Sequence, residues 1–166
     1  MNGPVSFAIA VPLLLIAATS PHAEDSAKQT IADIPKHIMA TPEAMEWGAC
    51  PPMLPPGAEC TTIQGDPQVA NELYAIRAKM PDGFTIPAHT HPEDEHLTVI
   101  SGTFTMGLGE GFDEKVMEPM TVGSYMVMPK GVPHFALTRG VTVLQVHGIG
   151  PLDFIYVNPE DDPRNH

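Results

Sequence analysis

The sequence is poor in positive charge: 8 Lys and Arg stand against 20 Asp and Glu, a formal net charge of −12. A surface of that balance repels phosphate backbones and anionic lipid, which argues against nucleic-acid binding and against attachment to a membrane surface. Helical periodicity is also missing, since no stretch longer than a few turns carries it. The apolar run over residues 7–18 is too short for a membrane span, which needs roughly 20 residues. Cysteine is scarce. Cys50 and Cys60 are the only two, and neither has a His or a third Cys nearby, so thiolate metal binding has no support. What is plentiful is punctuation, with 19 Pro and 14 Gly, as in a chain of many short strands joined by tight turns. A length of 166 residues at 43% hydrophobic composition suits one domain with a real core and leaves little room for a second.

The first 23 residues contain no Lys, Arg, Asp or Glu, and polar sequence begins at Glu24 and Asp25, just after Ala23. This resembles a secretory signal peptide cleaved near Ala23. The expected organisation is a signal peptide over 1–23, an N-terminal segment over 24–46, and a β-domain with a Pro-rich arm over 47–166. The expected location is periplasmic or secreted, with no membrane association once the signal is removed. In an exported protein Cys50 and Cys60 form a disulfide around the loop holding Pro51, Pro52, Pro55 and Pro56; the other reading is two buried thiols.

Thr41 and Pro42 can open a short helix. The proline-rich stretch 47–67 reads as an extended arm and not as strands, with Trp47 anchoring it to the domain. From Asn71 onward, runs of β-formers alternate with turn signals. Strands are expected at 73–79, 85–89, 96–100, 103–108, 115–118, 124–128, 134–138, 141–147 and 154–157. Breaks fall at Pro81-Asp82-Gly83, Ser101-Gly102, Gly123, Pro129-Lys130-Gly131 and Arg139-Gly140. Such spacing is that of a sandwich or barrel.

The densest chemistry lies between Gly83 and Gly102. His89 and His91 are two residues apart, so in extended chain both imidazoles point to one face. Pro92-Glu93-Asp94 turns the backbone, and Glu95 then opens a new strand able to point into the same space. His134 is far along the chain, after the turn Pro129 to Pro133, which can swing its strand toward the same pocket. Three imidazoles and a carboxylate suit one divalent transition metal (Zn, Fe, Mn, Ni, Co or Cu) better than Ca or Mg.

Two spacings now stand together. Gly83, five residues, His89-x-His91, three residues, Glu95, six residues and Gly102 form one motif. Gly123, five residues, Pro129-x-Gly131, two residues and His134 form the other. In this pattern the sequence resembles the cupin family, with Thr138 in the place of a structural Asn. The resemblance implies an all-β, cupin-type jelly-roll β-barrel with an extended N-terminal arm. It implies a metal inside one end, held by His89, His91, Glu95 and His134. Gly65-Asp66-Pro67, Gln145 to Gly148, Gly150-Pro151 and Tyr156 to Arg164 are similar to small single-domain exported bacterial cupins. The family implies a homodimer by analogy, and it includes both enzymes and binding modules.

With Glu95 inward, strand alternation turns His96 away. Gln145 and His147 share a face amid apolar neighbours: one of them lines the pocket as a substrate contact, or that face looks to solvent. Arg77 either forks onto a substrate carboxylate or is a solvated strand residue. Expected apolar walls are Leu97, Val99, Phe104, Met128, Ala136 and Leu137. The leading functional expectation is a metal-dependent oxidoreductase or dioxygenase acting on a small organic molecule, with Glu95 exchanging between ligand and proton acceptor. The alternative is a metal- or small-ligand-binding module without turnover.

Overall fold

The computed structural model describes residues 37–166, and the expected signal peptide and most of the segment 24–46 lie outside them. The described residues contain no α-helix. They form nine strands: β1 (Gly48–Ala49), β2 (Glu59–Gln64), β3 (Leu73–Met80), β4 (Thr85–Thr90), β5 (Glu95–Leu108), β6 (Glu118–Met120), β7 (Tyr125–Met128), β8 (His134–Ile149) and β9 (Ile155–Tyr156). All pairs are antiparallel. One path runs β1-β2-β3-β8-β4-β9, and β5 joins β8 to β6 and β7. The fold is the cupin-type jelly roll that the motifs imply.

Two long strands do most of the work. β8 pairs with β5 over nearly its whole length, with β3 through Thr142 to Ile149, and with β4 through His134 to Leu137. The sequence breaks at Ser101-Gly102 and Arg139-Gly140 are therefore not strand ends, as expected above, but bends within β5 and β8. In β5 the register shifts on both sides of Ser101. Gly102 sits at φ 75° there, and a Cβ on it would lie 2.5 Å from both Thr142 Oγ1 and the Val141 carbonyl oxygen. Only glycine fits that bend.

Alternation places the core. Tyr74, Ile76, Ala78 and Met80 of β3, Leu97 and Val99 of β5, and Leu144 and Val146 of β8 all point inward. Thr138, in the place of the motif's Asn, is fully buried. Its hydroxyl donates to the Pro81 carbonyl at 2.6 Å and accepts the Phe84 N–H at 2.8 Å, closing the turn around Gly83. Thr138→Val keeps the shape and orphans both groups. Its expected cost is about 1–3 kcal/mol in urea unfolding, with Thr138→Ser close to wild type.

Two local expectations are corrected. Residues 47–67 are not only an arm, because β2 pairs with β3 and extends the sheet, and β1 folds back on β2. The prolines cluster at 51–56 and leave 59–64 free to donate to a ladder. At 115–118, a 3-10 turn over Glu114–Val116, capped by Asp113 accepting the Lys115 N–H at 3.0 Å, replaces the start of the strand. Trp47 lies beside β3, with Lys79 Nζ 4.6 Å from its ring centroid.

Cys50 and Cys60 are joined by a disulfide that closes the loop between β1 and β2. That loop carries Met53 and Leu54 into the core, where the Tyr156 hydroxyl donates to the Met53 carbonyl at 2.8 Å. Closing a loop of this size removes about 2–3 kcal/mol of unfolded-chain entropy. Cys50→Ala with Cys60→Ala is expected to lose that much stability, read as a lower urea midpoint with a slope that rises, if it changes, as the unfolded chain expands.

Candidate metal centre

β4 and β8 bring the first two imidazoles together, because His89 and His134 are direct cross-strand partners and their ring centroids lie 4.3 Å apart. A register shift between Ile86 and His89 turns His89 inward. His91 follows just past the end of β4, its ring centroid 4.9 Å from that of His89 and 5.0 Å from that of His134. Each of the three offers a ring nitrogen within 4.8 Å of the others, and each is only 2% exposed. Glu95 opens β5 and is 5% exposed. Its Oε2 reaches to 3.2 Å from His91 Nε2, although it stands outside the mutual 4.8 Å group.

The tautomers are fixed from behind. His89 Nδ1 lies 2.7 Å from the Pro87 carbonyl oxygen, His91 Nδ1 2.8 Å from that of Asp153, and His134 Nδ1 3.0 Å from that of Val132. A carbonyl can only accept, so each Nδ1 carries the proton and each Nε2 keeps a free lone pair. That is the arrangement in which histidine binds metal, its second nitrogen held by an outer partner. His91 Nε2 is buried with no hydrogen-bond partner, and its 3.2 Å contact with Glu95 Oε2 is an ion pair only when the ring is protonated. An orphaned buried nitrogen beside a carboxylate and two further lone pairs fits a borderline divalent cation.

Electrostatics point the same way. Burial, followed by the neighbouring imidazoles, holds His89 well below its ordinary pKa. Burial also lowers His134. Burial is the largest single influence on His91 and opposes its charge, but the Glu95 carboxylate and the Asp153 carbonyl and carboxylate together outweigh it and raise that ring. Burial is the largest single influence on Glu95 and would raise it, but His91, with His134 and His96, outweighs it, so the carboxyl's pKa lies below its ordinary value.

Glu95, His89 and His134 line a cavity of about 40 Å³ together with apolar walls, and His91 lies outside its lining. Leu97, Phe104 and Ala136 are among those walls as expected, whereas Val99, Met128 and Leu137 are not. Leu54 and Phe154 were not foreseen. Phe154 stacks on His89 at 4.2 Å between centroids and 4° between planes, which fixes the ring's orientation.

The residues singled out as substrate contacts lie elsewhere. Arg77, Gln145 and His147 sit on the outer face of β3 and β8, away from the cavity. Arg77 and Gln145 are cross-strand partners, and Gln145 Oε1 accepts from both Nε and Nη2 of Arg77 at 3.4 Å. The alternation in the second half of β8 decides this: Thr142, Leu144 and Val146 are buried, so 145 and 147 face out. His96 also faces out, with Nδ1 2.6 Å from the Tyr125 hydroxyl.

Residues 76–148 match the family model of the cupin domain. Both motifs and all four converging side chains fall within that stretch. Germin-like protein subfamily 3 member 3 of Arabidopsis thaliana is 37% identical over 65 residues, which cover 39% of this chain and 31% of that protein. The chain thus spans about a third of the length of the curated relatives it matches. An RmlC-like cupin from Shewanella frigidimarina superposes with a TM-score of 0.52 at 18% identity, over 75% of this chain and 95% of that one. A provisionally assigned acetylacetone dioxygenase from Methylibium petroleiphilum superposes with a TM-score of 0.58 at 16% identity, over 77% of this chain and 85% of that one. At these identities the solved structures establish the cupin fold.

Proposed function

We propose that this is an exported, metal-dependent cupin enzyme of oxidoreductase or dioxygenase type that acts on a small organic molecule. The observation that carries the reading is the convergence of three buried imidazoles, each with Nδ1 tied to a backbone carbonyl, beside an apolar cavity. A borderline divalent ion held by His89, His91, His134 and Glu95 supplies Lewis acidity toward a substrate oxygen or, if redox-active, electron transfer with dioxygen. Around it the chain's own groups have distinct tasks. Glu95, ionised and buried beside His91, is the group able to take a substrate proton. Phe154 holds the His89 ring in place. Leu54, Ile86, Leu97 and Phe104 exclude water from the cavity. The Cys50–Cys60 bond supports export, since disulfides persist in oxidising compartments, and the periplasm or exterior is the location this reading takes. A homodimer belongs to the same proposal, by analogy with cupins.

The cavity's volume favours a second reading. About 40 Å³ holds a few water-sized groups and no extended carbon skeleton. A module that binds a metal or a small ligand without turnover fits that volume as well. Dioxygen uptake by protein loaded with Fe, Mn or Cu, against a panel of diketones, thiols and phenols, separates the two. Uptake that Glu95→Gln reduces while metal is retained supports the enzyme. Silence across the panel with all three metals favours the binding module.

A further inference from the structure

Two buried side-chain nitrogens lack a hydrogen-bond partner among the described residues: His91 Nε2 and His147 Nδ1. The barrel centre accounts for the first. Nothing in the barrel accounts for the second, which lies on the opposite face of the same sheet.

We propose that His96 and His147 form a second site for a borderline divalent cation, on the outer wall of the barrel. The two are direct cross-strand partners on β5 and β8, so their side chains leave the sheet side by side. Their rings lie 5.1 Å apart between centroids and 20° from parallel. The Tyr125 hydroxyl lies 2.6 Å from His96 Nδ1; with the hydroxyl accepting from Nδ1–H, His96 Nε2 carries the lone pair that a cation takes. Burial, then the charge of His96, lowers the pKa of His147, so that ring is neutral with a lone pair to give at neutral pH.

Both rings line an open groove of about 450 Å³. Its walls carry the carboxylates of Glu93 and Asp94 against one ammonium, Lys130. Lys130 Nζ stands 3.6 Å from Glu93, and the Lys130 N–H donates to Asp94 Oδ1 at 2.9 Å. The balance is negative in a chain that is already strongly acidic, which favours a cation over an anion. Two imidazoles supply two donors, water completes the shell, and Zn, Ni and Cu are the ions such a pair takes. Neither His96 nor His147 belongs to the barrel's ligand set, so this site stands or falls independently of the proposed enzyme.

Equilibrium dialysis of the purified, metal-bearing protein against Zn(II), followed by metal counting per chain, tests it. Wild type should take up one ion beyond the resident barrel metal. Losing an outer partner alone costs about 10–100-fold in metal affinity, so losing a ligand through His96→Gln or His147→Ala should cost at least as much. The conservative His96→Gln variant guards against misfolding, and circular dichroism of both variants confirms the fold. His89→Ala should keep the outer ion. With the barrel site filled by Zn(II), Cu(II) taken up outside should show nitrogen hyperfine structure from two imidazoles, reduced to one at most in either variant, which gives a second readout. No extra ion in wild type, an extra ion that survives both substitutions, or its loss in His89→Ala would each overturn the proposal.

Discussion

His134→Ala is expected to bring bound metal from about one ion per chain to a small fraction of that, and to lower thermal stability with it. His134 is the side chain that the fold must carry farthest, from β8 across to β4 and the segment beyond it. Without it the remaining imidazoles, His89 and His91, keep their carbonyl partners and their free nitrogens, but the donor set is one short. A ligand that binds only the folded chain stabilises it by RT ln(1 + [L]/Kd), about 4 kcal/mol at a metal concentration 1,000-fold above Kd. That stabilisation should vanish on chelation of the wild type, whereas chelation should leave His134→Ala unchanged. Metal counting and urea unfolding of the loaded and chelated forms read both effects. Stoichiometric metal retained in both His89→Ala and His134→Ala would sink the ligand assignment.

The sequence made the centre legible for a physical reason. His89, His91 and Glu95 lie within one turn of chain, so local geometry nearly forces them together, and glycines at fixed spacing mark the bends that aim them. Leu54, Phe154 and the Asp153 carbonyl enclose the same space from segments far away in sequence. No local spacing announces them, because their placement is a consequence of how β9 and the disulfide loop dock. Strand faces were legible wherever alternation ran unbroken. In the second half of β8 it does: Thr142, Leu144 and Val146 face inward, which puts Gln145 and His147 outside. In β5 the opposite holds. Leu97 and Val99 face inward, yet so does Phe104, because the bulge at Ser101 and Gly102 shifts the alternation by one. Turn residues in a sequence can therefore mark a chain reversal or a bend, and only pairing to a neighbour decides which.

Acid should weaken the protein, more steeply when it is loaded with metal than when it is stripped. In the stripped protein His89 and His134 are lowered, chiefly by burial. They bind protons more weakly than the unfolded chain, whose imidazoles titrate near pH 6.5 on the reference scale, so their contribution is complete above about 6.5 and is lost as pH falls toward their folded values. His91 runs the other way. Its raised value gives stability that is present below about pH 6.5 and is lost as pH rises through the folded value. Glu95 is lowered, so its contribution holds above about pH 4.5 and fails only at lower pH. Below about pH 6.5 the unfolded chain gains protons on all three imidazoles, while the stripped folded chain resists those on His89 and His134, a difference of up to two. Bound metal requires all three rings neutral, which makes the difference three. At about 1.4 kcal/mol per pH unit for each proton of difference, the limiting slopes are about 2.7 and about 4 kcal/mol per pH unit. Urea unfolding of loaded and chelated protein at pH 7, 6 and 5 measures them. His91→Ala should leave the chelated protein falling with acid below pH 6.5 while removing the opposing contribution near neutrality. Equal slopes for loaded and chelated wild type would mean that these imidazoles do not release protons to a metal, and that the barrel histidines are there for packing alone.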